Sequence, residues 1–330
     1  VGGILLGAAI SSGFSSLVEP AFRATISDLL KKEEYTRASG MVQLIPASRY
    51  LLSPVLSGLV LSFAGIRMVL MLDILTILIT LPITYIVRRE MRGIPRGEGT
   101  KLAEDLSLGF HLIYDKKGLW LLVMLGILVS FCLGTVQTLM IPMLLPFGGE
   151  SFAGFATTVS ACGMLVGGLI LSRFSIKKDF SHILQASLLG MGFFMAAFAW
   201  GNNKILICGF GFCLFMSLPF ANAAMDYLVR VNVATTHQGK AWGLISLISQ
   251  AGYVLAYALT GVAVDFIIKP FLQKEVNASK FALNIPGRGE GRAAALMIII
   301  AAAFLMIIAF TLPRKSEIRE LEEENVLEVA

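Results

Sequence analysis

"RASGMVQLIPASRYLLSPVLSG", residues 37–58, returns 203 positions later as "KAWGLISLISQAGYVLAYALTG", residues 240–261, and no gap is needed to align the two. Eight of the 22 positions are identical: Ala38/Ala241, Gly40/Gly243, Leu44/Leu247, Ile45/Ile248, Tyr50/Tyr253, Leu52/Leu255, Leu56/Leu259 and Gly58/Gly261. Each copy opens on a basic residue and continues into an uncharged or nearly uncharged apolar run. Whether this is an internal duplication depends on what surrounds the two copies.

The chain of 330 residues is 56% hydrophobic, with a mean hydropathy of +0.78. That is more apolar surface than a water-soluble fold can hide. Its charges fall in clusters between runs that contain no Asp, Glu, Lys or Arg: Tyr50 to Ile66, Gly118 to Gly149, Ser151 to Ser172, Ser181 to Asn203, Ile205 to Met225, Ala241 to Val264 and Ala293 to Pro313. Most reach the roughly 20 residues that cross a bilayer core. Adding Val1 to about Ser27 and Met68 to Val87, which carry internal charges, gives nine predicted spans in an all-α polytopic membrane protein. "PFGG", residues 146–149, should break the longest run into a span and its outer turn.

Basic residues are retained in cytoplasmic loops. Alternate connections, together with the C-terminal tail, hold 18 Lys and Arg against 7 in the others, with Arg23 and Arg49 inside spans completing the 27. This places the C-terminus and the loops after spans 1 and 3 in the cytoplasm; the five basic residues between spans 8 and 9 run against the trend. Residues 41–64 then form span 2 and residues 241–264 span 8, six spans apart and crossing in the same direction. A parallel repeat of six spans follows. Spans 4, 5 and 6 lack partners in that register, so three further spans are expected before Val1, giving twelve originally, in two six-helix pseudo-repeats. On this expectation the 330 residues alone would not transport. The division reads as 1–87, the last three helices of the N-terminal half; 88–118, a cytoplasmic linker with the amphipathic "LAEDLSLGFHLIYDKKG"; 119–313, the C-terminal half; and 314–330, a charged cytoplasmic tail.

Charges inside spans are costly and so are candidate functional groups. Glu19 lies about 18 Å along a helix from Lys31, near mid-bilayer, with Arg23 one turn away at the i, i+4 spacing of an ion pair and Pro20 supplying a kink. Burial raises the pKa of a Glu and an Arg neighbour lowers it, so separating the pair would change its proton affinity. A permanent ion pair holding helices in register is the alternative. The 203-residue register sets Glu19 on Asn222 and Arg23 on Asp226, and Asp226 with Arg230 forms a second i, i+4 pair near the cytoplasmic end of span 7: an inner gate, or end charges reaching for the interface. Arg49 and Asp73 are further interior charges. Gln137, Asn222 and Gln250 could bond a substrate or glue helices together.

Other chemistry finds little support. Cys132, Cys162, Cys208 and Cys213 lie inside spans without metal-ligand spacing. His111, His182 and His237 are scattered, which argues against a membrane-embedded enzyme. No G-x-x-x-x-G-K-[ST] phosphate loop occurs, and no basic patch interleaved with aromatics suggests nucleic acid. No cofactor or metal is expected. The "NAS" at Asn277 is a glycosylation sequon with no further support.

Several stretches resemble the major facilitator superfamily, in particular its macrolide-efflux and enterobactin-exporter-like branch. "EPAFRATISDLLKKEEYTRASGMVQ", Glu19 to Gln43, is similar to that branch's pattern of Pro-Ala, helix end, charged turn and start of the next span, with Ser39 where Asn is usual. "RYLLSPVLSG" resembles the antiporter motif G-x-x-x-G-P-x-x-G-G, with Pro54 and Gly58 matching and Arg49, Ser53 and Ser57 replacing other glycines. "GLILSRFSIKK" resembles the loop motif G-x-x-x-D-R-x-G-R-K, keeping Gly168, Arg173 and Lys177 with Ser172 in place of the acid. "GRGEGRAAAL" before the last span also resembles the branch. The resemblance implies the major facilitator fold, helix packing and gating at the motif residues, and a monomeric, multi-pass protein of the cell membrane. It further implies export of an amphiphilic small molecule, drug-, macrolide- or siderophore-like, by proton antiport with alternating access. A symporter, uniporter or lipid-moving facilitator on the same fold is the alternative.

Overall fold

The computed structural model describes residues 34–90, 102–173, 179–273 and 290–312, with 318 and 320–322. Among these residues the protein is helical throughout, with no strand: α1 Tyr35–Glu90, α2 Leu102–Tyr114, α3 Lys117–Arg173, α4 Phe180–Trp200, α5 Lys204–Asn232, α6 Thr235–Ala263, a π turn Val264–Ile268, α7 Lys269–Gln273 and α8 Glu290–Thr311. Among the described residues six helices are long and apolar enough to cross a membrane.

The two longest elements each fold back at glycine. In α3 the break falls at Gly148 and Gly149, inside the expected "PFGG", and Gly149 takes φ 68°, open to glycine without steric cost. The arms before and after it are spans 4 and 5. In α1 the break is Gly65, φ 70° and ψ −179°, which separates span 2 from span 3. The run from Ala241 continues past its expected end at Val264 through the π turn, where Asp265 and Lys269 pair at 2.7 Å, and reaches Gln273 before the helix stops.

Small residues set the packing. A side chain at Gly163 or Gly167 would strike the carbonyl of Phe212 or Met216 on α5. Along the first arm of α3, Gly134 faces Ala256 and Tyr253 of α6, Gly252 of α6 faces Ile127 and Ser130, and Thr135 meets Thr260 at 3.3 Å. Without water between apolar helices, such close backbone approach and hydroxyl pairing are what favour association. The core runs through α3, α4, α5 and α8, with Leu184, Leu188, Met191, Met195 and Ile298 fully buried.

The second arm of α1 differs. None of the residues from Arg67 to Ile86 is buried, and its polar atoms turn inward: the hydroxyls of Thr76, Thr80 and Thr84 donate to the carbonyls of Asp73, Thr76 and Thr80 at 2.6 to 2.9 Å. Local bonds of this kind let a helix in apolar surroundings satisfy its hydroxyls on its own backbone.

Candidate functional site

One end of the bundle gathers the starts of α1, α4 and α6 and the ends of α3 and α5, and here the buried polar residues concentrate. Thr36 and Ser39 on α1, Asp226 and Arg230 on α5, and Gln238 on α6 are all at most 5% exposed. Arg230 lies between two rings: its guanidinium carbon is 5.5 Å from the centre of Tyr35 and 5.2 Å from that of Trp242. Rings at that range attract a cation through their quadrupole, more strongly where water is excluded. Asp226 sits one turn earlier on the same face of α5.

The backbone beneath Arg230 is held as well. α5 ends at Asn232, and the Gln238 amide donates to the carbonyls of Arg230 and Val233 at 2.9 and 3.1 Å, satisfying groups that a helix C-terminus leaves open. Beside it, Gly40 of α1 lies against the last turn of α3. A Cβ at Gly40 would come 2.7 Å from the Ser172 nitrogen, 2.9 Å from the Leu171 carbonyl carbon and 3.0 Å from the Gly168 oxygen. The repeat glycine and the loop-motif glycine thus meet in one contact.

The same end is strapped by the tail. Glu322 accepts bonds from the backbone nitrogens of Phe180 and Ser181 at 2.8 and 3.1 Å and from the Ser181 hydroxyl at 2.7 Å. A carboxylate there caps the start of α4 and meets the positive end of its dipole, a role that Asp179, in the left-handed conformation, does not perform. Leu321 accepts from Asn232, and Ile318 and Leu321 are buried. Phe180 stacks on Tyr227 with centroids 3.6 Å apart.

A second polar group sits within the membrane-spanning length, where Tyr257 of α6 donates to the Gln137 Oε1 of α3 at 2.8 Å and Tyr253 lies 6.0 Å from Tyr257. Tyr257 is half exposed despite its apolar neighbourhood. An apolar groove of about 540 Å³ between α3, α6 and α8, lined by Met124, Phe131, Leu255 and Phe304 among others, contains no charged side chain.

Of the residues singled out in the sequence, Asp226 and Arg230 join the first group and Gln137 the second. Asn222 is half-buried on α5, and Gln250 and Asp73 are exposed. Gly168 is buried against Gly40, and Arg173 is exposed at the end of α3. Arg49, Pro54 and Gly58 lie on the first arm of α1, their side chains outside the described residues, as are Glu19, Arg23 and Lys177 altogether. Tyr35, Gln238, Trp242 and Tyr257 were not anticipated. Tyr35 lies five residues before Gly40 and Trp242 one before Gly243, so the repeat register does not pair them and gave no signal for either. Among the described residues no cluster of His, Cys, Asp or Glu could hold a metal.

A family profile described as Major Facilitator Superfamily matches residues 1–257. Macrolide efflux protein A of Streptococcus pyogenes is 24% identical over 258 residues, which are 75% of this chain and 62% of that protein. Macrolide efflux protein A of Enterococcus faecalis is 24% identical over 237 residues, 68% of this chain and 71% of its own length. The chain therefore spans less than two thirds of the length of the Streptococcus relative.

Proposed function

The chain belongs to the major facilitator superfamily, and from that premise we propose that it is a secondary exporter of an amphiphilic small molecule, working by alternating access and driven by proton antiport. The observation that carries the direction and the substrate class is the similarity, over three quarters of the chain, to proteins named for macrolide efflux. The 330 residues hold no G-x-x-x-x-G-K-[ST] phosphate loop, which suits coupling to an ion gradient rather than to ATP.

Under this reading the end holding Arg230 is cytoplasmic, because the loops and tail that converge there carry the larger share of Lys and Arg. The protein works as a monomer. Gln137, fixed by Tyr257, with Gln250 and Asn222 supplies polar contacts to the cargo, while Tyr253 and the abundant Met and Phe give it an adaptable apolar surface. Glu19 carries the proton and Arg23 holds it ionised until helix movement separates them; Arg49 and Asp73 modulate the same field. Pro54, Gly58, Gly168, Arg173 and Lys177 serve helix packing and gating.

Substituting Glu19→Gln tests the coupling. With the complete reading frame expressed, the variant is expected to bind a macrolide as the parent does and to lose uphill transport. Undiminished transport driven by a pH difference would remove Glu19 from the proton path, and loss of binding alone would favour a uniporter in which Glu19 contacts cargo.

A further inference from the structure

The cation at the buried end is gripped by one ring from its own neighbourhood and one from elsewhere. Arg230 and Trp242 belong to α5 and α6, adjacent helices joined through Val233 and Ala234 and tied by the Gln238 amide. Tyr35 belongs to α1, which rests on α3 and α5 along its first arm. Taking the alternating-access reading as its basis, we infer that Tyr35 is the movable member of a cation–π latch, closing the Arg230 end when its ring covers the guanidinium and opening it when α1 withdraws, while Trp242 keeps Arg230 in place.

Three observations support the division. The closed contact is backbone-close at Gly40, so α1 can seat fully only when its glycine meets the last turn of α3. The buried end is only partly satisfied: the Ser39 hydroxyl on α1 and, on α6, the His237 Nδ1 and the Gln238 Oε1 are buried with no hydrogen-bond partner among the described residues. Such atoms regain water on opening, which lowers the cost of separation. An interface with this deficit needs a compensating attraction that vanishes steeply with distance, and a desolvated cation–π contact has that character. Trp242 and Tyr35 are both buried, at 3% and 5% exposure, but Trp242 lies on α6, which the Gln238 amide ties to the end of α5. Tyr35 stands at the first residue of α1, where a small tilt of the helix moves it away.

The test uses a cysteine reporter. Ser39→Cys, close in size and 1% exposed as serine, is introduced into the product of the complete reading frame with its native cysteines replaced, and labelling by a membrane-impermeant maleimide is timed in everted vesicles per unit of folded protein. Tyr35→Phe keeps the ring face and should label within about 2-fold of the parent. Tyr35→Leu keeps apolar bulk but has no quadrupole and should label about 5- to 30-fold faster; Tyr35→Met serves if the leucine variant does not accumulate. Equal rates for the aromatic and aliphatic variants would overturn the latch. A macrolide transport assay on the parent runs alongside. If the aliphatic variant labels fast while the parent moves no macrolide under any gradient, the latch stands and the export reading falls.

Discussion

Two glycines at matching positions in the repeat have unlike surroundings, and that contrast fixes what each can tolerate. A methyl at Gly40 would run into the backbone of Leu171 and Ser172, whereas nothing lies within 4 Å of one at Gly243. Gly40→Ala should therefore destabilise the closed arrangement by about 1–3 kcal/mol, the usual cost of overpacking, and Gly243→Ala should gain slightly from better helix propensity. Thermal unfolding of the two variants in detergent checks this: a lower Tm for Gly40→Ala alone is expected, and equal shifts would mean that the contact at the end of α3 is not made in solution. At this scale the sequence was a partial guide. Buried charge on an apolar span pointed to Asp226 and Arg230, because charge stands out against such a background. Tyr35 and Trp242 did not stand out, since an aromatic at a helix start in a membrane protein ordinarily marks the interface, and only the fold shows that both rings face one guanidinium.

The helices themselves were easier to read, because length and apolarity decide a span with little help from tertiary packing. The break at Gly148 and Gly149 fell where "PFGG" placed it, and the amphipathic linker segment became α2. The π turn that carries α6 past Val264 was not legible, since nothing in the apolar run marks it, and the Asp265–Lys269 pair beside it is one that any exposed helix could make. Neither was the strap formed by the tail. Glu322 reaches α4 across 142 positions of sequence, and a capping residue is sought next to the helix it caps, not that far away. Glu322→Gln, which keeps an acceptor but loses the charge, should cost about 0.5–1 kcal/mol, and Glu322→Ala about 1–2 kcal/mol. Hydrogen exchange at the first turn of α4 reports on it directly: protection should fall in the order parent, Gln, Ala, and unchanged exchange in the alanine variant would show that the cap contributes nothing.

For the whole molecule, the duplication read at the outset agrees with the geometry in one respect that matters for transport. The first arm of α1 and α6, the two copies, both begin at Arg230, so they start at the same end of the bundle and run the same way. That is the arrangement a parallel repeat requires, and it brings the movable ring and the fixed ring to one cation. What the order of apolar runs could not convey is which faces meet, because helices in lipid associate through small residues and occasional hydroxyls rather than through a contrast of polar and apolar faces. The proposed export function is that a proton gradient moves an amphiphile across these helices. Its most direct test is the uptake of a radiolabelled macrolide by proteoliposomes that hold the everted product of the complete reading frame and an acidic lumen. Accumulation above the external concentration, lasting as long as the pH difference and abolished by a protonophore, is the result expected; a distribution that never exceeds equilibrium, with or without the gradient, would contradict it.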